Sequence, residues 1–436
     1  MTAAPDPVDL ARELLRFDTT NPPGNEADCV EYVQSLLNGA GIESELHSLD
    51  PARPNLVARV EGTGAGNPLL LYGHVDVVPT AGQRWSHPPF AGDLVDGVLW
   101  GRGALDMKSG VAMMVTALIR AKAEAALPPG GVVLAVLADE EHGGDFGAKF
   151  LAGSHPGVFA GARHALGEVG GFTTHVAGRR FYPIQVAEKR MCHMKATVRG
   201  PGGHAARPLR GGAMARLGRM LRDLDRHRTP VHITPVARRM IEAMADALPR
   251  THAIVLRRLL DPRTCDPALR LLGATGRRLE GLLRNTVNAT IVHGGAAVNV
   301  IPSAIEVELD GRLLPGFGPD TMIAELREII GTDIELEVLR HDEGPADADL
   351  SLFSTLSGIL RELDPGGIPV PMLLPAVTDA RHLSPIGIQT YGFLPLRLPP
   401  DFPLEGLAHA ADERVPADAV RFGAEAVFRA IHRYPG

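Results

Sequence analysis

Five short clusters of acids and histidines stand where strand-like runs end, and they are the part of this 436-residue chain best equipped for chemistry. Gly73-His74-Val75-Asp76 follows an apolar run over 69–72, and Gly101-Arg102-Gly103-Ala104-Leu105-Asp106-Met107-Lys108 sets an acid in a Gly-rich loop ahead of a helical pattern. Asp139-Glu140-Glu141-His142-Gly143-Gly144 follows a second apolar run, and Gly167-Glu168-Val169-Gly170-Gly171 follows a shorter one. His409 with Glu413 lies near the C-terminus. Residues two apart on a strand share a face, so Asp76 can accept the second ring N–H of His74, the usual support for a metal-bound imidazole. Two histidines and three carboxylates, one of them bridging, suit two zinc ions with positions left open for water and substrate. Two metals about 3.5–4 Å apart can share a hydroxide and clamp an attacked carbonyl. Such a site needs one further carboxylate to carry the proton, and the Glu140-Glu141 pair has one to spare.

Alternating strands and helices must position these groups. Asp6, Pro7 and Asp9 read as the N-cap, first-turn proline and capping-box-like acid of a helix, with Val8, Ala11, Leu14 and Leu15 at helical spacing. Asn21-Pro22-Pro23-Gly24 stops it; a second helix over 26–38 ends at Gly39 and Gly41, and strands follow over 42–49 and 55–60. The runs 69–72 and 132–137 are apolar without alternation, the mark of strands covered on both faces, and 111–127 between them reads as a helix. This order predicts an α/β layer domain, whose ligands gather at the carboxyl ends of its strands.

The character changes near Ala187. A strand over 191–199, a Gly-rich turn, Arg-rich helices across 211–284, strands over 286–292 and 304–309, a helix over 321–330 and a strand over 334–339 make an α+β unit of their own. Short strands and helices return after Pro345 and end in a helix over 417–432. The expected architecture is a catalytic α/β domain with a central, mostly parallel sheet, built from residues 1–186 and 341–436, with a second domain, 187–340, inserted. Gly62-Thr63-Gly64-Ala65-Gly66 precedes a strand rather than a helix, so it reads as a hairpin turn and not a dinucleotide loop.

These motifs resemble the two-zinc amidohydrolase family that includes aminoacylase-1, acetylornithine deacetylase, succinyl-diaminopimelate desuccinylase, carboxypeptidase G and carboxypeptidase S. The resemblance runs from Phe17-Asp18-Thr19-Thr20-Asn21-Pro22-Pro23-Gly24 to His409. It implies a zinc-peptidase-like catalytic domain and an inserted lid and dimerisation domain. Asp106 would bridge two zinc ions per subunit, with cobalt or manganese as possible substitutes. His74 and Glu168 would complete one site, and Glu141 and His409 the other. Glu140 would be the general base, Asp76 would orient His74, and the Asp106–Met107 peptide bond would be cis. His204, in Gly200-Pro201-Gly202-Gly203-His204, matches a histidine that reaches the neighbouring subunit's site to stabilise the oxyanion. Asn299 and Arg312 match substrate-binding positions, and an arginine fork suits a carboxylate. After Glu168 the chain reads Val-Gly-Gly where deacetylases and desuccinylases continue with Pro-Thr, which is closer to the carboxypeptidase S branch. The implied activity is cleavage of the amide of an N-acyl amino acid or small peptide beside a free α-carboxylate, by a homodimer. The alternatives are a carboxypeptidase or dipeptidase of the same family, or a zinc-dependent binding protein without catalysis.

Apolar residues at 45% and charged residues at 22% exclude a disordered chain. No apolar run approaches the ~20 residues of a membrane helix and no signal peptide precedes the first helix, so a cytoplasmic protein without a membrane partner is expected. Cys29, Cys192 and Cys265 are odd in number and far apart, which reads as a reduced chain without a disulfide framework. Net charge is −7, yet residues 207–284 hold 17 Arg, no Lys and 7 acids. Without interleaved aromatics, these arginines read as solvated helix faces and not as a nucleic-acid surface.

Overall fold

A computed structural model describes residues 4–436. The chain forms two compact units. One comprises the chain up to Val186 together with Ala348–Met372 and Thr378–Gly436; the other comprises Ala187–Asp347 with Leu373–Val377.

In the first unit Asp6 caps the helix Pro7–Leu15 by accepting the Val8 N–H at 2.8 Å. The core is a nine-stranded mixed sheet in the order Ser44–His47, Asn55–Val60, Val132–Leu137, Leu69–His74, His164–Gly167, Gln389–Gly392, Arg179–Glu188 and Gly367–Leu374, with Thr174–Val176 added to Arg179–Glu188. Parallel pairing holds the centre. Leu69–His74 runs parallel to Val132–Leu137 on one side and His164–Gly167 on the other, which in turn pairs in parallel with Gln389–Gly392. The flanking pairs are antiparallel.

Every residue of Leu69–His74 and Val132–Leu137 is buried, because both faces of these strands are covered. Leu70, Tyr72, Val133 and Ala135 pack with Phe150, Leu151 and Phe159. Alternate positions face the helix Lys108–Ala123, where a Cβ on Gly73 would meet Met107 and Val111. That helix also packs against Pro7–Leu15 and Ala417–Arg433. It begins at Lys108 and not at Val111. Its first turn, Lys108-Ser109-Gly110, is buried despite its residue types, so apolar periodicity does not reveal it.

The Gly62–Gly66 segment is not a hairpin turn. The strands before and after it never pair with each other; Val132–Leu137 lies between them. The segment crosses the end of that strand and packs on the turn that leads into it, with a Cβ at Gly62 falling 2.1 Å from the carbonyl of Pro129.

The second unit is a four-stranded antiparallel sheet in the order Thr286–His293, Ala304–Leu313, Arg190–Arg199, Glu335–His341. Met194, Ala196, Val198 and Val307 pack with Leu217 of helix Ala213–Arg226 and Leu326 of helix Pro319–Ile330. The Arg-rich stretch is five helices, not a few long ones, because Pro235, Pro249, Pro262 and Gly273 each interrupt it. Gly203–His204 pairs with Val300–Ile301 in a short ribbon. All three cysteines are free and buried. Among the described residues, no helix is long and apolar enough to cross a membrane.

Gly62→Ala forces a methyl into the backbone of the 128–131 turn and is expected to lower the unfolding free energy by about 1–3 kcal/mol, as overpacking does. Gly64→Ala has open space around it and should stay within about 0.5 kcal/mol of the parent. Urea denaturation of the two variants side by side checks this.

Candidate metal centre

Three adjacent parallel strands deliver their groups at their carboxyl ends. His74 closes Leu69–His74, Glu140 and Glu141 open the turn after Val132–Leu137, and Glu168 follows His164–Gly167. Asp106 enters from the loop ahead of Lys108–Ala123, and His409 from the segment before Arg414–Pro416. These side chains form two groups that share Asp106: His74, Asp106 and Glu168, and Asp106, Glu141 and His409. His74 Nε2 lies 3.1 Å from Asp106 Oδ1 and 3.5 Å from Glu168 Oε2. His409 Nε2 lies 3.2 Å from Asp106 Oδ2 and 3.1 Å from Glu141 Oε1. Asp106 thus turns one oxygen toward each imidazole. The Asp106–Met107 peptide bond is cis.

The donor set fits a pair of divalent cations. Within each group the candidate ligand atoms lie within 4.8 Å of one another. Glu168 Oε1 is buried without a hydrogen-bond partner, and a buried acceptor of that kind calls for a cation or a donor. Imidazole nitrogen with carboxylate oxygen is the ligand chemistry of zinc and its first-row neighbours. Burial would lower the His74 pKa, but Asp106, Asp76 and Glu168 more than offset it and hold the ring well above the usual imidazole range. Burial would raise the Asp106 pKa, and the imidazoles of His409 and His74 instead hold that carboxyl far below the usual range.

Asp76 does more than face His74. The nearest acceptor to His74 Nδ1 is the Asp76 backbone carbonyl at 3.0 Å, with the carboxylate Oδ1 at 3.4 Å. The fully buried carboxylate also accepts the N–H groups of Glu140 and Glu141, each at 3.1 Å. One acid therefore sets both the imidazole of one group and the backbone of the acid-bearing turn. Asn21 donates its amide to Asp76 at 2.8 Å and to Asp139 at 3.0 Å, and Arg53 links Asp139 to Glu26. Asp139, in the left-handed region at φ 66°, turns the chain from the strand into Glu140. The Glu140 carboxylate points at neither group as a ligand and has no hydrogen-bond or ion-pair partner among the described residues. Burial, and then the charge of Glu168, push its pKa well above the ordinary range.

Other expected site residues lie in the second unit. His204 and Asn299 are exposed and neighbour one another on the short ribbon, where the Asn299 carbonyl accepts the Ala205 N–H at 3.0 Å. Arg312 lies on Ala304–Leu313, where Asp310 holds it in a two-pronged ion pair at 2.7 and 2.9 Å.

Two residues escape the spacing argument altogether. Asn21 belongs to a motif that reads as a helix stop, and Asp379 has no motif signal. Asp379 is buried beside Glu168 and leaves both of its own carboxylate oxygens unpartnered. The glycines after Glu168 have a local reason: a Cβ at Gly170 would fall 2.3 Å from the Gly392 carbonyl on the neighbouring strand.

Residues 70–433 match the model of peptidase family M20/M25/M40. The chain belongs to this family. It is a metal-dependent hydrolase acting on amide bonds, with a mixed α/β fold. A succinyl-diaminopimelate desuccinylase of Paracoccus denitrificans is 29% identical over the whole of both chains. A probable carboxypeptidase S-like protein of Dictyostelium discoideum is 27% identical over 80% of this chain and 68% of its own. Among solved structures, an M20 metallo-carboxypeptidase from Sulfolobus solfataricus superposes with a TM-score of 0.69 at 16% identity, covering 99% of each chain. A dinuclear metal-binding M20 peptidase of Bacillus subtilis gives 0.56 at 15% identity, over 98% of this chain and 97% of its own.

In this M20 peptidase, Asp76→Ala removes the acceptor shared by Asn21, Glu140 and Glu141. Affinity for a divalent cation is expected to fall about 10–100-fold, the usual cost of losing a residue that orients a ligand. Zinc titration of chelator-stripped protein checks it.

Proposed function

We propose that this chain is a two-zinc hydrolase that cleaves the amide bond of an N-acyl amino acid or short peptide beside a free α-carboxylate. The observation that carries this reading is the pair of ligand groups joined through Asp106, with the unpartnered carboxylate of Glu140 beside them. His74, Asp106 and Glu168 would hold one metal, and Asp106, Glu141 and His409 the other, with cobalt or manganese able to replace zinc. When bound, such a pair polarises the substrate carbonyl and brings the pKa of a bound water to about 7.

Glu140 takes a proton from the attacking water as its oxygen bonds to the carbonyl carbon, then returns it to the nitrogen as the C–N bond breaks. Asp76 holds His74 and the Glu140 backbone in place for both steps. His204 donates a hydrogen bond to the developing oxyanion. In our reading it comes from a partner subunit, and residues 187–340 serve as lid and dimerisation domain. Thr286–His293 supports that role, being an edge strand with Ile291 and Val292 exposed. Asn299 and Arg312 bind the substrate, and Arg312 takes its carboxylate, already holding one, that of Asp310. A carboxypeptidase is the second reading, favoured by Val169-Gly170-Gly171 after Glu168 and by the carboxypeptidase S-like relative.

A panel of N-acyl amino acids and free dipeptides, assayed after chelation and after zinc is restored, tests the proposal. Hydrolysis of none of them by zinc-loaded protein would sink it. Glu140→Gln should keep its zinc near the parent level and lose about 10²–10⁴ in rate, as removal of a general base does. Loss of half the bound zinc would make Glu140 a ligand instead. Arg312→Ala should raise KM strongly for acids and little for the matching amides, which lack the charge. Equal losses on both would leave Arg312 as the ion-pair partner of Asp310 and nothing more.

A further inference from the structure

Glu413 stands four residues after His409, and its carboxylate is fully buried. Its Oε1 accepts three backbone N–H groups from the Asp106 loop: Gly103 at 3.1 Å, Leu105 at 2.7 Å and Asp106 itself at 3.1 Å. Its Oε2 accepts from the guanidinium of Arg102, which is buried as well. Backbone N–H groups converging on one anion are a strong, directional anchor, and a charge-assisted pair behind them strengthens it.

Arg102 carries the connection onward. It donates to the Ala410 carbonyl at 3.2 Å and to Gln83 Oε1 at 2.9 Å, and lies over the Trp85 ring. Gln83 in turn donates its amide to the His409 carbonyl at 2.9 Å. The circuit therefore runs from the Asp106 backbone through Glu413, Arg102 and Gln83 to the backbone of His409. His409 needs such a hold. Its φ of 64° is in the left-handed region, uncommon for a residue with a side chain, and its ring is half-exposed, so packing does little to fix it.

We propose that Glu413, Arg102 and Gln83 are positioning residues that set the span between Asp106 and His409 and so decide whether the Asp106–Glu141–His409 group holds its metal. The inference rests on the two-metal reading above and adds that the two halves are anchored separately. Asp106 serves both groups, but His74 is held by Asp76, which lies outside the Glu413 circuit, whereas the His409 backbone is held through it. Losing that circuit should thus weaken the Asp106–Glu141–His409 position far more than the other.

The test is calorimetric titration of Zn²⁺ into chelator-stripped full-length protein, with the unfolding midpoint of each variant measured in parallel. The parent should take up two equivalents. Glu413→Ala should bind its weaker equivalent about 10–100-fold less tightly, the scale expected for loss of a residue that orients a ligand. Its tighter equivalent should change little. Glu413→Gln keeps an oxygen for the three N–H groups and should fall between the two. Gln83→Ala, at a partly exposed position, guards against a Glu413 variant that does not fold; it removes two hydrogen bonds of the circuit and should weaken the same equivalent by at least about 2–10-fold, the scale of one of them. Folded variants that bind both equivalents like the parent, even with a lowered midpoint, would overturn the positioning role and leave the metal centre standing. Equal weakening of both equivalents would overturn the separate anchoring. A parent that takes up no zinc would overturn the two-metal reading itself, and this inference with it.

Discussion

The constraint on which the rest of this structure depends is negative charge gathered away from water. Asp76, Asp106, Glu140, Glu141, Glu168 and Asp379 converge around two imidazoles, and His74, Asp76, Glu168 and Asp379 are buried. Buried carboxylates must find donors or cations, because leaving them unpaired costs several kcal/mol per ion even after relaxation. The protein answers part of that demand with its own groups. Backbone N–H groups serve Asp76 and Glu413, Asn21 serves Asp76 and Asp139, and Arg53 and Arg102 stand behind Asp139 and Glu413. Among these site acids, Glu168 Oε1, both oxygens of Asp379 and the Glu140 carboxylate stay without a partner.

The parallel centre of the sheet makes this concentration possible. Parallel strands put all their carboxyl ends on one edge, so His74, the Glu140-Glu141 turn and Glu168 emerge side by side from strands separated widely in the chain. An antiparallel meander would send alternate strand ends to opposite edges. The strands added in antiparallel fashion, Ser44–His47, Asn55–Val60 and Arg179–Glu188, lie outside this centre and carry no ligand group. Gly73, Gly170 and Gly392 belong to the same arrangement: where acid-bearing turns lie this close, a Cβ at Gly170 or Gly392 would collide with backbone on the adjoining segment.

The second unit obeys a different rule. Its sheet has one face covered by two helices, and its strands alternate accordingly, as in the pattern of Ala304–Leu313. Lys195 pairs with Glu337 on the open side. Its arginines largely take helix surfaces, yet Arg284 is buried and bonded to Asp266 and to the Thr229 carbonyl, a structural use that charge counting does not separate from a solvated one.

Much of this was legible in the residues alone. Continuous apolar runs marked the two central strands, because strands covered on both faces lose alternation, and the acid and histidine clusters at their ends marked the chemistry. Asp6 marked the first helix by its capping chemistry, which is local. Other features depended on partners far along the chain. The Gly62–Gly66 segment reads as a hairpin by its glycines, but strand order is set by which strands pair across the whole sheet, and a third strand takes the place between. The helix at Lys108 starts in polar residues that only tertiary burial explains. Asp76 was expected to meet His74 through its carboxylate, since strand periodicity puts them on one face; the fold gives the closer contact to its carbonyl and turns the carboxylate to the backbone of Glu140 and Glu141. Glu413 stood beside His409 in sequence without a role, because its partners lie in the loop before Lys108. Short-range spacing determines which groups can act and which local elements carry them. The identity of each buried carboxylate's donor is a long-range matter, and only the tertiary structure decides it, since a charge withdrawn from water takes whichever donors the packed chain brings within reach.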